Sequence, residues 1–168
     1  MFEESRSVMP NRHADSSPEE MSPVAILDRA RGRAREQHLF FAGAVTPAEA
    51  WKLVEEDIAV IVDVRTLEEY KFVGHVPHSL SIPWMCGAAM TKNPGFLSEA
   101  EKQLGKDAII LLLCRSGKRS AGAAEALTEA GFRNVFNILE GFEGNLDSRM
   151  QRNHLDGWRS RNLPWVQD

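Results

Sequence analysis

Ala108-Ile109-Ile110-Leu111-Leu112-Leu113-Cys114-Arg115-Ser116-Gly117-Lys118-Arg119-Ser120-Ala121 decides how this chain reads. The stretch opens as an unbroken apolar run from Ala108 to Leu113, without polar alternation, which fits a strand buried on both faces of a parallel sheet. It ends on a thiol. A short polar loop follows, and a helical pattern runs from about Arg119 to Ala130, with Gly131 at the C′ position. In an open parallel sheet, ligands bind beyond the carboxyl ends of the strands, where loops lead into helix N-termini. Cys114 stands at such a place.

The flanking sequence repeats the same grammar. Thr46-Pro47-Ala48-Glu49 predicts a helix start, with Thr46 as N-cap, Pro47 in the first position and Glu49 closing a capping box, and the helix should reach about Glu55. Ile58 to Val62 is a β-branched run followed by Asp63, Thr66 to Tyr70 reads as a short helix, and Ser79 to Ile82 as a strand stopped by Pro83. Ser98 is expected to cap a helix through Leu104, and Val135 to Ile138 forms a last strand. Short strands alternating with helices make the fold class α/β, a mainly parallel sheet with helices on both faces. Upstream, Met1 to Pro23 lacks Leu and Ile and reads as a loosely docked tail, and Arg29, Arg31, Arg33 and Arg35 give the next helix a basic face, softened at Gly32. This divides the chain into a tail and helical lead-in, 1–39, and a domain, 40–168.

Composition narrows the function. Twenty Lys and Arg against 24 Asp and Glu give a net charge of −4, so no global field recruits nucleic acid. The longest apolar run, Ala108 to Cys114, falls far short of the ~20 residues needed to cross a bilayer. Two cysteines, Cys86 and Cys114, are too few for a disulfide framework and have no zinc-site spacing, so no structural metal is expected. The acidic start, Met1-Phe2-Glu3-Glu4, is unlike a secretory signal, which makes a reducing cytoplasm the expected compartment.

The loop carries the chemistry. Gly117 frees the backbone to curl its amides toward the sulfur, the following helix points its positive end there, and Arg115, Lys118 and Arg119 add charge. All three favour the thiolate and would hold an incoming oxyanion. Cys114 is therefore the candidate nucleophile, and Arg115, Ser116, Gly117, Lys118, Arg119 and Ser120 are the candidate substrate-binding residues. Cys86, with no cationic neighbour, reads as an inert thiol whose alternative is a resolving role.

Four motifs in order then resemble a known family: Asp63-Val64-Arg65, Glu68-Glu69-Tyr70, Gly74-His75-Val76-Pro77-His78-Ser79 before Ile82-Pro83, and Cys114-Arg115-Ser116-Gly117-Lys118-Arg119-Ser120, with Leu139-Glu140-Gly141 after the last strand. Together they are similar to the rhodanese (sulfurtransferase) domain of the single-domain type, over about Phe40 to Trp165. The resemblance implies a three-layer rhodanese-like sandwich on a five-stranded sheet. It implies that Cys114 takes sulfane sulfur from a small anionic donor such as thiosulfate as a persulfide and yields it to cyanide, a thiol or an acceptor protein, with no cofactor. It also implies that Asp63 and Arg65 form bracing ion pairs and that His75 serves the fold. Phosphatases and arsenate reductases place an arginine six positions after the cysteine. Here Arg119 is the fifth and Ser120 the sixth, which favours sulfur over phosphorus. A persulfide carrier without turnover, or an anion-binding regulatory module docking through the basic helix, is the alternative. Residues 142–156 separate Gly141 from Gly157-Trp158 and read as an insertion, whose Phe142, Arg149, Arg152 or His154 would set acceptor choice, while Trp158 and Trp165 would pin the C-terminus.

Overall fold

A computed structural model describes residues 16–168; the reading of 1–15 as part of a loose tail lies outside the described residues. Helix α1 (Pro23–Gln37) leads to strand β1 (Gly43–Val45), helix α2 (Pro47–Glu55) and strand β2 (Val60–Asp63). Strand β3 (Leu80–Ser81) and a small hairpin, β4 (Met85–Cys86) with β5 (Thr91–Lys92), precede helix α3 (Phe96–Gln103). Strand β6 (Ile109–Leu113), helix α4 (Lys118–Glu129) and strand β7 (Asn134–Ile138) follow. The main sheet has the order β1-β7-β6-β2-β3, and every pair in it is parallel. Strand β6 is thus central, and Cys114 emerges at its carboxyl end.

Period two in β6 builds both sides of the core. Leu111 and Leu113 join Ile26, Leu27, Ala50 and Leu53 of α1 and α2 on one face, whereas Ile110, Leu112 and Cys114 join Phe96, Ala100, Ala123, Ala124 and Leu127 of α3 and α4 on the other. Three layers result. Ile110 to Leu113 are fully buried, each side chain contributing about 1.5–3 kcal/mol of hydrophobic stabilisation.

The local expectations meet the structure unevenly. Thr46 and Glu49 form the capping box: Glu49 N donates to Thr46 Oγ1 (3.2 Å), and Thr46 N donates to Glu49 Oε2 (2.8 Å). Ser98 is not an N-cap, because Gly95 holds that position and α3 starts two residues before the serine. Gly32 leaves α1 unbroken. A π-helical turn, Glu69–Val73, extends the short helix expected over Thr66 to Tyr70. The basic face of α1 is partly internal: Arg33 makes a bidentate pair with the fully buried Glu49 (2.6 and 2.9 Å), and Arg29 approaches the same carboxylate at 3.6 Å. Among the described residues, no helix is long and apolar enough to cross a membrane.

Candidate active site

Cys114 is 1% exposed, at the floor of the loop that joins β6 to α4. Its Sγ accepts the backbone N–H of Gly117 at 3.1 Å, and Ser120 Oγ lies 3.1 Å from it on the other side. Gly117 is the N-cap of α4 with φ +96°, a left-handed backbone that turns its amide back on the sulfur. Of the ring of loop amides expected around the thiol, Gly117 supplies the one at hydrogen-bonding distance among the described residues, and the Ser120 hydroxyl supplies the second polar contact.

The six candidate binding residues separate into different tasks. Arg119 is held by a bidentate pair with Glu69 (2.8 and 2.7 Å) and touches Met90 Sδ at 3.7 Å. Glu69 is itself oriented by Thr66, whose N–H it accepts (3.0 Å) while donating its own N–H to Thr66 Oγ1 (3.2 Å). Burial pushes the Glu69 carboxyl up, but the Arg119 hydrogen bond, the Thr66 amide and the charges of Arg119 and Arg65 outweigh it and hold the group below the usual carboxylate range. Burial likewise works against the Arg119 cation, and Glu69, with Cys114 and Asp63 adding charge, more than restores it. Ser120 is fully buried beneath the sulfur. Lys118 is exposed, and Ser116 and the side chain of Arg115 are half-buried, with Arg115 Nε enclosed and unpartnered.

The segment after β7 supports the loop from behind. Phe142 N donates to Cys114 O (2.8 Å), and Glu143 N (3.0 Å) and Gly144 N (3.2 Å) both donate to Arg115 O. Gly141 passes so close that a Cβ there would stand 2.5 Å from the backbone of Arg115 and Ser116, and its φ is +71°. Phe142 is fully buried, with the Arg65 guanidinium 4.2 Å over its ring and Arg159 at 5.3 Å. Arg65 in turn pairs with Asp63, both fully buried, and donates from Nη2 to Gly74 O (2.7 Å). The remaining Arg149, Arg152 and His154 belong to a loop tied to itself: Arg152 reaches Gly144 O and His154 Nδ1 lies 2.7 Å from Asp147 Oδ2. His75 stacks on Tyr70 at 4.0 Å, and its backbone bridges to Val166. Trp158 is buried and Trp165 is 40% exposed against Gly74. Cys86 is exposed on β4.

Two contacts at the site escape the sequence reading. Asn137 in β7 donates from Nδ2 to Gly117 O (3.0 Å) and sits 2.6 Å from Ser120 Oγ through Oδ1. Its signal was one amide inside the apolar run Val135-Phe136-Asn137-Ile138. Glu69 belongs to a recognised motif, but its partner lies 50 residues away and only the fold brings them together.

Known proteins resemble the chain in sequence and in fold. The rhodanese-like domain model matches residues 46–147. An uncharacterised protein of Rickettsia rickettsii is 41% identical over 119 residues, which is 67% of this chain and 87% of that protein. The crystal structure of Rv0390 from M. tuberculosis superposes with a TM-score of 0.69 at 40% identity, covering 76% of this chain and 99% of that one. Thiosulfate sulfurtransferase 16, chloroplastic, of Arabidopsis thaliana is 39% identical over 83 residues, 48% of this chain and 68% of that protein. On the match over residues 46–147 and on relatives at 40% identity or more, the chain belongs to the rhodanese-like domain family.

Proposed function

We propose that this protein is a sulfurtransferase that carries sulfane sulfur on Cys114, with thiosulfate as a competent donor and cyanide or a thiol as acceptor. The observation that carries the reading is the sulfur itself, set at the floor of a short loop with the Gly117 amide and the Ser120 hydroxyl on it, and with Arg115 and Lys118 in the same loop. The Cys114 thiolate attacks the outer sulfur of thiosulfate, the sulfur–sulfur bond of the donor breaks, and sulfite leaves with its electron pair. Cyanide then attacks the outer sulfur of the persulfide, which yields thiocyanate and restores the thiolate. No external oxidant or reductant enters.

Arg115 and Lys118, which have no carboxylate partner among the described residues, are the cations available to draw an anionic donor to the mouth. Arg119 has a different task, since Glu69 already occupies its guanidinium fork and fixes the first turn of α4 under the loop. That engagement, with a loop one residue shorter than the phosphatase pattern, supports sulfur rather than phosphoryl chemistry. Turnover is the test. Thiocyanate formation from thiosulfate and cyanide, abolished in Cys114→Ala, is the expected result; stoichiometric loading without turnover would make the protein a carrier, and hydrolysis of an aryl phosphate would replace the reading altogether.

A further inference from the structure

We propose that Asn137 is a positioning residue that sets how readily Cys114 ionises, by competing with the sulfur for the single hydroxyl proton of Ser120. Ser120 Oγ lies 2.6 Å from Asn137 Oδ1 and 3.1 Å from Cys114 Sγ, and it has one proton to give. The amide cannot be turned round to relieve this. Its Nδ2 donates to the carbonyl of Gly117 at 3.0 Å, and a carbonyl can only accept, so Oδ1 must face Ser120. Both side chains are enclosed, with Ser120 fully buried and Asn137 6% exposed.

The proton count then has two solutions. While Cys114 is a thiol, Ser120 donates to Asn137 and its oxygen is free to accept the S–H. When the thiol proton leaves to solvent, the sulfur becomes an acceptor only, the Ser120 hydroxyl rotates onto it, and Asn137 Oδ1 is left without a donor among the described residues. Ionisation therefore gains a charge-assisted bond at the sulfur and loses a neutral one at the amide. Gly117 ties the two ends together, giving its N–H to the sulfur and its carbonyl to the amide. The charged groups of the loop and of the segments packed against it form a background shared by all variants at these two positions: Arg119 with Glu69, Asp63 with Arg65, Arg115 and Lys118 of the loop, and Glu140 with Arg161 after β7.

The inference rests on Cys114 being the reacting group, and its test needs no sulfur donor. The rate of alkylation by iodoacetamide is followed against pH in a Cys86→Ser background, so that one thiol reports, for the parent, Ser120→Ala, Asn137→Ala and the double variant. The midpoint in Asn137→Ala is expected about one pH unit below the parent, because ionisation no longer orphans an amide oxygen. In Ser120→Ala it rises above the parent, and the double variant coincides with Ser120→Ala. A midpoint unmoved by Asn137→Ala, or moved equally with and without Ser120, overturns the proposal, as does an unmoved midpoint in Ser120→Ala should Asn137→Ala not fold. A protein that alkylates in this order yet accepts no sulfur from thiosulfate would instead remove the sulfur-transfer reading and leave this one standing.

Discussion

Replacing Gly141 with alanine tests whether the segment after β7 holds the cysteine loop in shape. Two costs can be worked from the structure. A left-handed alanine at φ +71° costs about 1–2 kcal/mol in backbone strain. Its Cβ would also stand 2.5 Å from Arg115 and Ser116 backbone atoms, so one of the two segments must retreat. That retreat strains the bonds from Phe142 N to Cys114 O and from Glu143 and Gly144 N to Arg115 O. Losing two of them removes about 1–3 kcal/mol at the usual net value of a hydrogen bond, for a total of about 2–5 kcal/mol. Urea unfolding should show this as a midpoint lowered by about 1–2 M. Gly131→Ala is the control, because its φ is +94° with open space around it, so it has the strain without the collision. The variant should also slow sulfur loading of Cys114, which the control should not. A Gly141→Ala protein as stable as the Gly131→Ala control, with the parent's loading rate, would refute the supporting role.

Glu69→Gln should destabilise by about 1–3 kcal/mol at neutral pH, since Arg119 keeps its burial and loses its charged partner. Because the folded Glu69 carboxyl is held below its usual range, the pair's contribution is full above the ordinary carboxylate value of about 4 and disappears as pH falls through the lower folded value. Parent and variant should therefore converge in urea unfolding at strongly acidic pH, and a gap that persists there would point to packing instead. Cys86→Ser should leave the amount of sulfur carried on Cys114 unchanged by mass measurement, since Cys86 is exposed on the hairpin; a fall to half or less would give Cys86 a part in the reaction.

What was legible in the sequence follows the range of the interactions. Local ones were visible: β6 declares itself by a continuous apolar run, and the Thr46–Glu49 capping box by spacing alone. Strand β1 carries no such signal, because Gly43-Ala44-Val45 is short and contains one β-branched residue, and the β4–β5 hairpin carries none because two-residue strands have no period. Ser98 looked like a cap on propensity, but Phe96 is buried in the core and draws the helix start back to Gly95. At the site, the cysteine and its loop lie within seven consecutive residues and could be read directly. Glu69, Asn137 and the Arg33 to Glu49 pair act through partners 50, 17 and 16 residues away, and no local pattern encodes those distances.

Whether Cys114 carries the transferred sulfur is decided by mass spectrometry of the purified protein after thiosulfate treatment. One added sulfur, about 32 Da, on the peptide containing Cys114, removed by cyanide and absent in Cys114→Ala, is the expected result. An unmodified Cys114 after that treatment, or an adduct found on Cys86 alone, would contradict it.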